Sequence, residues 1–164
     1  MSRSPRPGAA ARGASDRRTI AKNRRATFEF FILERIEAGV ALTGTEVKSL
    51  RESRADLSGA FVRIEKGEAY LVGCNIAEYS FGNRMNHVPL RPRKLLLHAR
   101  EIRELDKKVK TEGVTVIPVE LYFKGAYAKV EIALAKGKKL HDKREDIARR
   151  DARREMDRGM RRRR

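Results

Sequence analysis

Between Thr27 and Leu134 the apolar residues recur mostly at every second position, the period of a strand with one buried side. The clearest run is the second arm of VTVIPVELYFKGAYAKVEIAL, where Ala126, Ala128, Val130, Ile132 and Leu134 face one way while Tyr127, Lys129 and Glu131 face the other. Lys124-Gly125 is the expected turn of that hairpin. AFVRIEKGEAYLVGC predicts a second hairpin closed at Lys66-Gly67, where glycine relieves the positive φ of a tight turn. TFEFFILERIEAGVALTG is rich in aromatic and β-branched residues and reads as a long strand bent at Gly39.

Helical spacing appears in two places within this body. GTEVKSLRES predicts a short helix with Thr45 as N-cap and Val47 and Leu50 on one face. Lys94–Leu97 reads as a strand leading into a helix over 99–111, with Ile102, Leu105 and Val109 as its inner stripe and Gly113 as its stop. The stretch 83–92 before it is a polar loop marked by proline. Short strands divided by turns, with two or three short helices, predict a mainly β fold. A small closed barrel of the oligonucleotide/oligosaccharide-binding (OB) type suits it, because closure removes exposed edges.

Charge divides the chain into three parts. Residues 1–25 carry eight Lys and Arg against Asp16 alone, and 136–164 carry 14 against six acids, so the ends hold most of the net charge of +17. The reading is a flexible basic arm (1–19), a folded body (20–135) and a basic tail (136–164). Cations concentrated in this way capture polyanions, with counterion release supplying the affinity, and nucleic acid is the expected partner. In the tail Ala148, Ala152, Met156 and Met160 recur every four residues, and Glu145–Arg149, Asp146–Arg150 and Asp157–Arg161 set acids four residues before bases. With so thin an apolar stripe and a glycine at 159, the tail is expected to be coil when free and helical once a partner neutralises it.

Several chemistries are disfavoured. No apolar run reaches membrane-spanning length, and the ends lack the apolar wedge of a membrane-surface helix. Pro5, Pro7, Gly8 and Gly13 oppose the amphipathic helix of an organelle transit peptide. The single Cys74 forbids an internal disulfide, consistent with a reducing cytosol. His87 and His98 lack metal-ligand spacing, and no phosphate loop or nucleophile elbow occurs. His141-Asp142 invites a catalytic reading, but neighbours on a helix point about 100° apart and the segment is solvated. Neither enzymatic activity, metal nor cofactor is expected. Glu37 is compatible with an exposed strand acid or a binding residue, Asn23-Arg24-Arg25 with a phosphate and base-edge reader or a solvated arm, and Arg91–Lys94 with a basic rim or a charged loop.

The blocks IAKNRRATFEFFILERIEAGVALTGTEVKSLR (20–51), RPRKLLLHAREI (91–102) and AKGKKLHDKRE (135–145), in this order, closely resemble the small protein B family, the SsrA-binding (tmRNA-binding) proteins of bacterial trans-translation. The resemblance runs over about 20–147. It implies an OB-type barrel that grips the tRNA-like domain of tmRNA and, with elongation factor Tu and alanyl-tmRNA, reaches ribosomes stalled without a usable codon. It places Asn23, Glu37 and Leu96 on the RNA-binding face; the cations Arg24, Arg25, Lys48, Arg51 and Lys94 are expected as further tmRNA contacts. It makes Lys136, Lys138, Lys139, His141, Asp142, Lys143 and Arg144 ribosomal-RNA contacts of a tail that enters the empty messenger channel near the decoding centre of the small subunit. A monomeric cytoplasmic protein is implied.

Overall fold

A computed structural model of the chain describes residues 17–162. In chain order the strands are β1 (Arg17–Lys22), β2 (Phe30–Val40), β3 (Ala55–Asp56), β4 (Phe61–Glu65), β5 (Glu68–Val72), β6 (Asn75–Ile76), β7 (Arg93–Leu96), β8 (Thr115–Lys124) and β9 (Tyr127–Gly137). The helices are α1 (Ala26–Glu29), α2 (Gly44–Arg51), α3 (Ala99–Glu112) and α4 (Leu140–Arg162), with a 3-10 turn at Asn83–Met85. The fold is thus mainly β with four helices.

The main sheet runs β1-β8-β4-β5-β7-β2-β9, and β9 pairs in turn with β8, so six strands are hydrogen-bonded in a circuit. β8 shares its second edge between two strands: Val116 opposes Val62 of β4, while Glu120–Lys124 oppose β1. β3 and β6 pair separately. Every other residue points inside the circuit, as alternation requires. Val62, Leu71, Leu95, Val116, Leu121, Val130 and Ile132 meet there, joined by Leu50 of α2 and by Ile102 and Leu105 of α3. Val109 packs at the edge of the same core and Gly113 ends α3 with φ +62°, as the spacing predicted.

The Lys66-Gly67 hairpin forms as expected, both residues taking positive φ between the opposed Glu65 and Glu68. The second turn lies one residue later than expected, at Gly125-Ala126, because Lys124 still pairs with Tyr127. Gly39 does not break β2. It sits where the strand is paired on both sides, opposite Lys129 of β9 and Leu96 of β7. The predicted long strand starts later than its composition indicated, since Ala26–Glu29 form one helical turn. That turn covers Ala135 and Ile117 with Ala26 and Phe30, a second small apolar cluster outside the main core. The N-cap of α2 is Thr43 rather than Thr45: its N–H donates to Glu46 Oε2 at 2.8 Å, half of a capping box.

Glu46 also anchors the loop before β7. Fully buried, it accepts from Arg91 Nε (2.8 Å) and Nη2 (2.7 Å) and from Arg93 Nε (2.8 Å). Arg93, equally buried, donates further to the carbonyls of Cys74, Arg91 and Pro89. Burial pushes the Glu46 carboxyl up, but the Arg91 and Thr43 hydrogen bonds and the two guanidinium charges outweigh it and hold the group below its ordinary range. The Arg91–Lys94 run is therefore neither a rim nor a plain loop: of its cations Arg93 is interior, Arg91 half-buried and Lys94 exposed. His87, read from sequence as a loop histidine, is likewise buried, with Nε2 2.9 Å from the Ile76 carbonyl and Nδ1 3.0 Å from Thr45 Oγ1.

Arg17–Thr19, assigned above to the arm, belong to β1. Residues 1–16 lie outside the described residues.

Candidate nucleic-acid interface

Strand register assembles the outer face. Thr19, Tyr122, Lys129, Gly39 and Leu96 stand opposite one another in a row across β1, β8, β9, β2 and β7. Directly opposed residues project from the same side of a sheet, and so do residues two apart on one strand. Glu37 and Lys94 therefore join this face, away from the core.

Gly39 lets the row close up. A Cβ at this position would stand 3.1 Å from Leu96 Cβ and 3.3 Å from Leu96 Cδ1, so Leu96 lies across the glycine with its side chain 57% exposed. Around it opens a shallow groove of about 570 Å³, lined by Glu37, Lys94, Leu96, His98 and Lys129 among others. His98 occupies the N-cap of α3, where its N–H donates to Glu101 Oε2 at 2.9 Å.

The acids of this face are held by fixed donors. Glu37 accepts from Lys129 Nζ at 2.5 Å, from the Tyr122 hydroxyl, and from Lys124 Nζ at 3.4 Å. The Lys129 hydrogen bond foremost, then that of Tyr122, lowers its pKa to about 2. Burial, and then the proton shared with Glu37, raises the Tyr122 phenol. Arg17 lies over that ring, 3.8 Å from its centre, and donates to Glu120 at 2.7 Å. Lys94 Nζ donates to Glu68 Oε1 at 2.5 Å. The result is a stiff lattice of alternating charges with one apolar side chain standing out of it. A carboxylate only accepts, and lysine ammoniums only donate, so the groove offers complementary partners to sugar hydroxyls, base N–H groups and phosphates.

The other residues singled out from sequence lie elsewhere. Asn23 turns the chain from β1 into α1. Its N–H donates to Val119 O at 2.8 Å and its Nδ2 to Pro118 O at 3.0 Å, while its Oδ1 is buried without a partner. With Arg25 and Phe61 it lines a separate hollow of about 160 Å³. Arg24 is exposed, and Arg25 stands 3.9 Å from Glu29. On α2, Arg51 lines a third hollow with Arg18 and Phe123, and the Lys48 ammonium lies 5.5 Å over the Tyr79 ring. Glu37, Lys94 and Leu96 thus share one groove, whereas Asn23, Lys48 and Arg51 do not line it. Lys129 and His98, which line the groove, and the buried Tyr122, which holds Glu37 from behind it, were missed. For Lys129 and Tyr122 the signal is the register, which sets them opposite each other and Lys129 opposite Gly39.

The tail leaves β9 as a single helix, α4, over Leu140–Arg162. Lys138 fastens its base: its N–H donates to Glu29 O at 2.9 Å, and its ammonium reaches Thr27 O at 2.8 Å and Asp146. Asp142 Oδ2 accepts the Lys139 N–H at 2.9 Å at the helix start. His141 Nε2 does approach Asp142 Oδ1, at 3.1 Å, contrary to the expected divergence. The imidazole is nonetheless 68% exposed and the carboxylate is committed to capping, so the pair has no enclosed site to serve. Lys136, Lys139 and Arg144 are exposed and Lys143 half-buried. Leu140 at the helix start is 75% exposed and Met156 and Met160 are 61% and 67% exposed, so α4 packs its apolar side chains on little.

Among the described residues no cluster of His, Cys, Asp and Glu could hold a metal ion, and no helix is long and apolar enough to cross a membrane. The charged groove lies at the Gly39–Lys129 end of the β2–β9 ladder and the cationic helix leaves from its Phe30–Gly137 end, two separate surfaces suited to a polyanion such as RNA. The family model for the SmpB protein matches residues 20–162, and the chain belongs to that family, one of RNA-binding proteins and not of enzymes. An SsrA-binding protein of Carboxydothermus hydrogenoformans is 55% identical over 142 residues, covering 87% of this chain and 95% of the relative. One of Thermobifida fusca is 55% identical over 147 residues, 90% and 92% of the two chains. A solved structure described as "tmRNA-SmpB: a journey to the center of the bacterial ribosome" is similar at TM-score 0.62 and 51% identity, covering 73% of this chain and 84% of the other.

Proposed function

We propose that this chain binds tmRNA by its tRNA-like domain and, with elongation factor Tu, brings alanyl-tmRNA to ribosomes stalled without a usable codon. The strand circuit acts as an OB-type barrel and the Glu37–Lys94–Leu96 groove as its grip, with Asn23, Arg24 and Arg25 at one margin and Lys48 and Arg51 at another. The observation that carries this reading is the groove, where Lys129 and Tyr122 fix an ionised Glu37 close to an exposed Leu96 held over Gly39. Such a surface is organised before RNA arrives, so little ordering cost falls on binding.

The tail serves separately. Lys136, Lys138, Lys139, His141, Asp142, Lys143 and Arg144 meet ribosomal RNA near the decoding centre, and α4 lies in the empty messenger channel. In the free protein α4 is only partly populated, because few side chains pack on it; phosphate neutralisation completes it. The protein works as a cytoplasmic monomer. RNA copurifying with the chain tests the proposal: one dominant species of tmRNA size is expected, and bulk ribosomal RNA with no dominant species would contradict it.

A further inference from the structure

The segment from Tyr79 to Leu90 belongs to neither the groove nor the tail, yet it turns apolar side chains outward. Phe81 is 79% exposed and Met85 84%. The frame beneath them is fixed. Tyr79 N–H donates to Asn86 Oδ1 at 2.9 Å, Asn86 Nδ2 returns a bond to Tyr79 O at 2.8 Å, and Gly82 N–H reaches the same carbonyl at 2.9 Å. Arg54 Nη1 donates to Ser80 Oγ at 3.1 Å. The clamp requires glycine at 82, where a Cβ would come within 2.7 Å of the Asn86 amide. Hydrogen bonds and a glycine are thus committed to presenting an aromatic ring to solvent.

The surroundings indicate what the ring meets. Phe81 and Tyr79 stand edge to face, their centres 5.7 Å apart at 64°, so the rings brace each other. Lys48 lies over Tyr79, Arg54 holds Ser80, and Arg84 is exposed on the turn; Glu52 and Glu78 are the acids of these stretches, and Glu52 is 3.8 Å from Arg54. The aromatic pair makes a crest rather than a cleft, with more cations than acids at its foot. A flat heteroaromatic ring attached to a phosphate chain matches both features, whereas a protein side chain would look for a hollow.

We propose that Phe81, braced by Tyr79 whose ring carries Lys48, is a stacking platform for an unpaired nucleotide of RNA, a contact distinct from the groove and the tail. It rests on the reading of the chain as an RNA-binding protein. The chain contains no tryptophan, so Phe81→Trp supplies a single reporter at an exposed site where the larger ring fits. The full chain carrying this substitution is titrated with single-stranded oligoadenylate and, separately, with the isolated tRNA-like domain. Stacking predicts saturable quenching by oligoadenylate. It also predicts about five- to hundredfold weaker oligoadenylate binding for Phe81→Ala and equally for Phe81→Leu, with Phe81→Tyr close to the parent. Absence of quenching, or full retention of binding by Phe81→Leu, would overturn the platform; a blue shift without quenching would point to a protein partner and overturn it as well. Normal quenching together with failure to bind the tRNA-like domain would leave the platform standing and remove the proposed function instead.

Discussion

Removing the charge of Glu46 should be among the most damaging single changes in the body, although the residue never meets solvent. Glu46→Gln leaves Arg93, which is fully buried, without a counter-charge. Breaking a buried ion pair on one side costs about 3–5 kcal/mol. Arg93 keeps its bonds to the Cys74, Arg91 and Pro89 carbonyls, which solvate part of the stranded charge, so the lower end, about 3 kcal/mol, applies. With a urea slope of about 2 kcal/mol/M the unfolding midpoint falls by about 1.5 M. The double variant Glu46→Leu/Arg93→Met removes both charges and should recover more than half of the loss. A single variant within about 0.3 M of the parent, or a double variant worse than the single, would refute this reasoning. Acid unfolding gives a second reading. The folded Glu46 carboxyl is held below its ordinary value of 4.5, so its contribution is present above that value and disappears as pH falls through the lower folded one. Glu46→Gln should flatten that limb.

Gly39→Ala should push Leu96 aside, because the added Cβ falls 3.1 Å from it; the tRNA-like domain then binds about tenfold more weakly while β2 stays paired. Strong binding with an unmoved Leu96 in the variant's structure would disprove the close-approach role. Glu37→Gln should lower affinity for the same RNA domain with a stability change under about 1 kcal/mol, as the Glu37 side chain is 37% exposed and solvent screens its ion pairs; a large drop in melting temperature would instead make Glu37 a structural residue. In NMR of the free protein, the part of α4 beyond Ile147 should give averaged carbon shifts that move to full helical values only with RNA, and complete helicity without RNA would refute the conditional helix.

Much of the body is legible in the sequence because its signals are local. Lys66-Gly67 is a tight-turn pair between alternating runs, and Ile102, Leu105 and Val109 need only helical spacing to declare a face. What escapes is whatever depends on a distant partner. Arg93 looks like any cation of a basic run until Glu46, 47 residues earlier, is brought against it. The one-turn α1 hides in an aromatic-rich stretch of strand composition; what holds it is the Asn23 carbonyl accepting from Ala26 N–H, and the Glu29 carbonyl accepting from Lys138. That same turn packs on Ala135, which lies on the face of β9 opposite Leu134. In the groove, Glu37 and Leu96 were identified through resemblance, while Lys129 and Tyr122 emerge only once β9 and β8 are in register. Residues that need no partner to be recognised were found, and those defined by register were not.

The division between gripping body and threading tail is tested most directly by a chain that stops after Lys139, which keeps the β2–β9 pairing and the Lys138–Glu29 backbone bond while removing α4. Its affinity for the isolated tRNA-like domain, measured beside its capacity to release stalled ribosomes, should be within about threefold of the full chain while release is lost. A collapse of RNA affinity with the body still folded would place the grip in the tail and contradict the account.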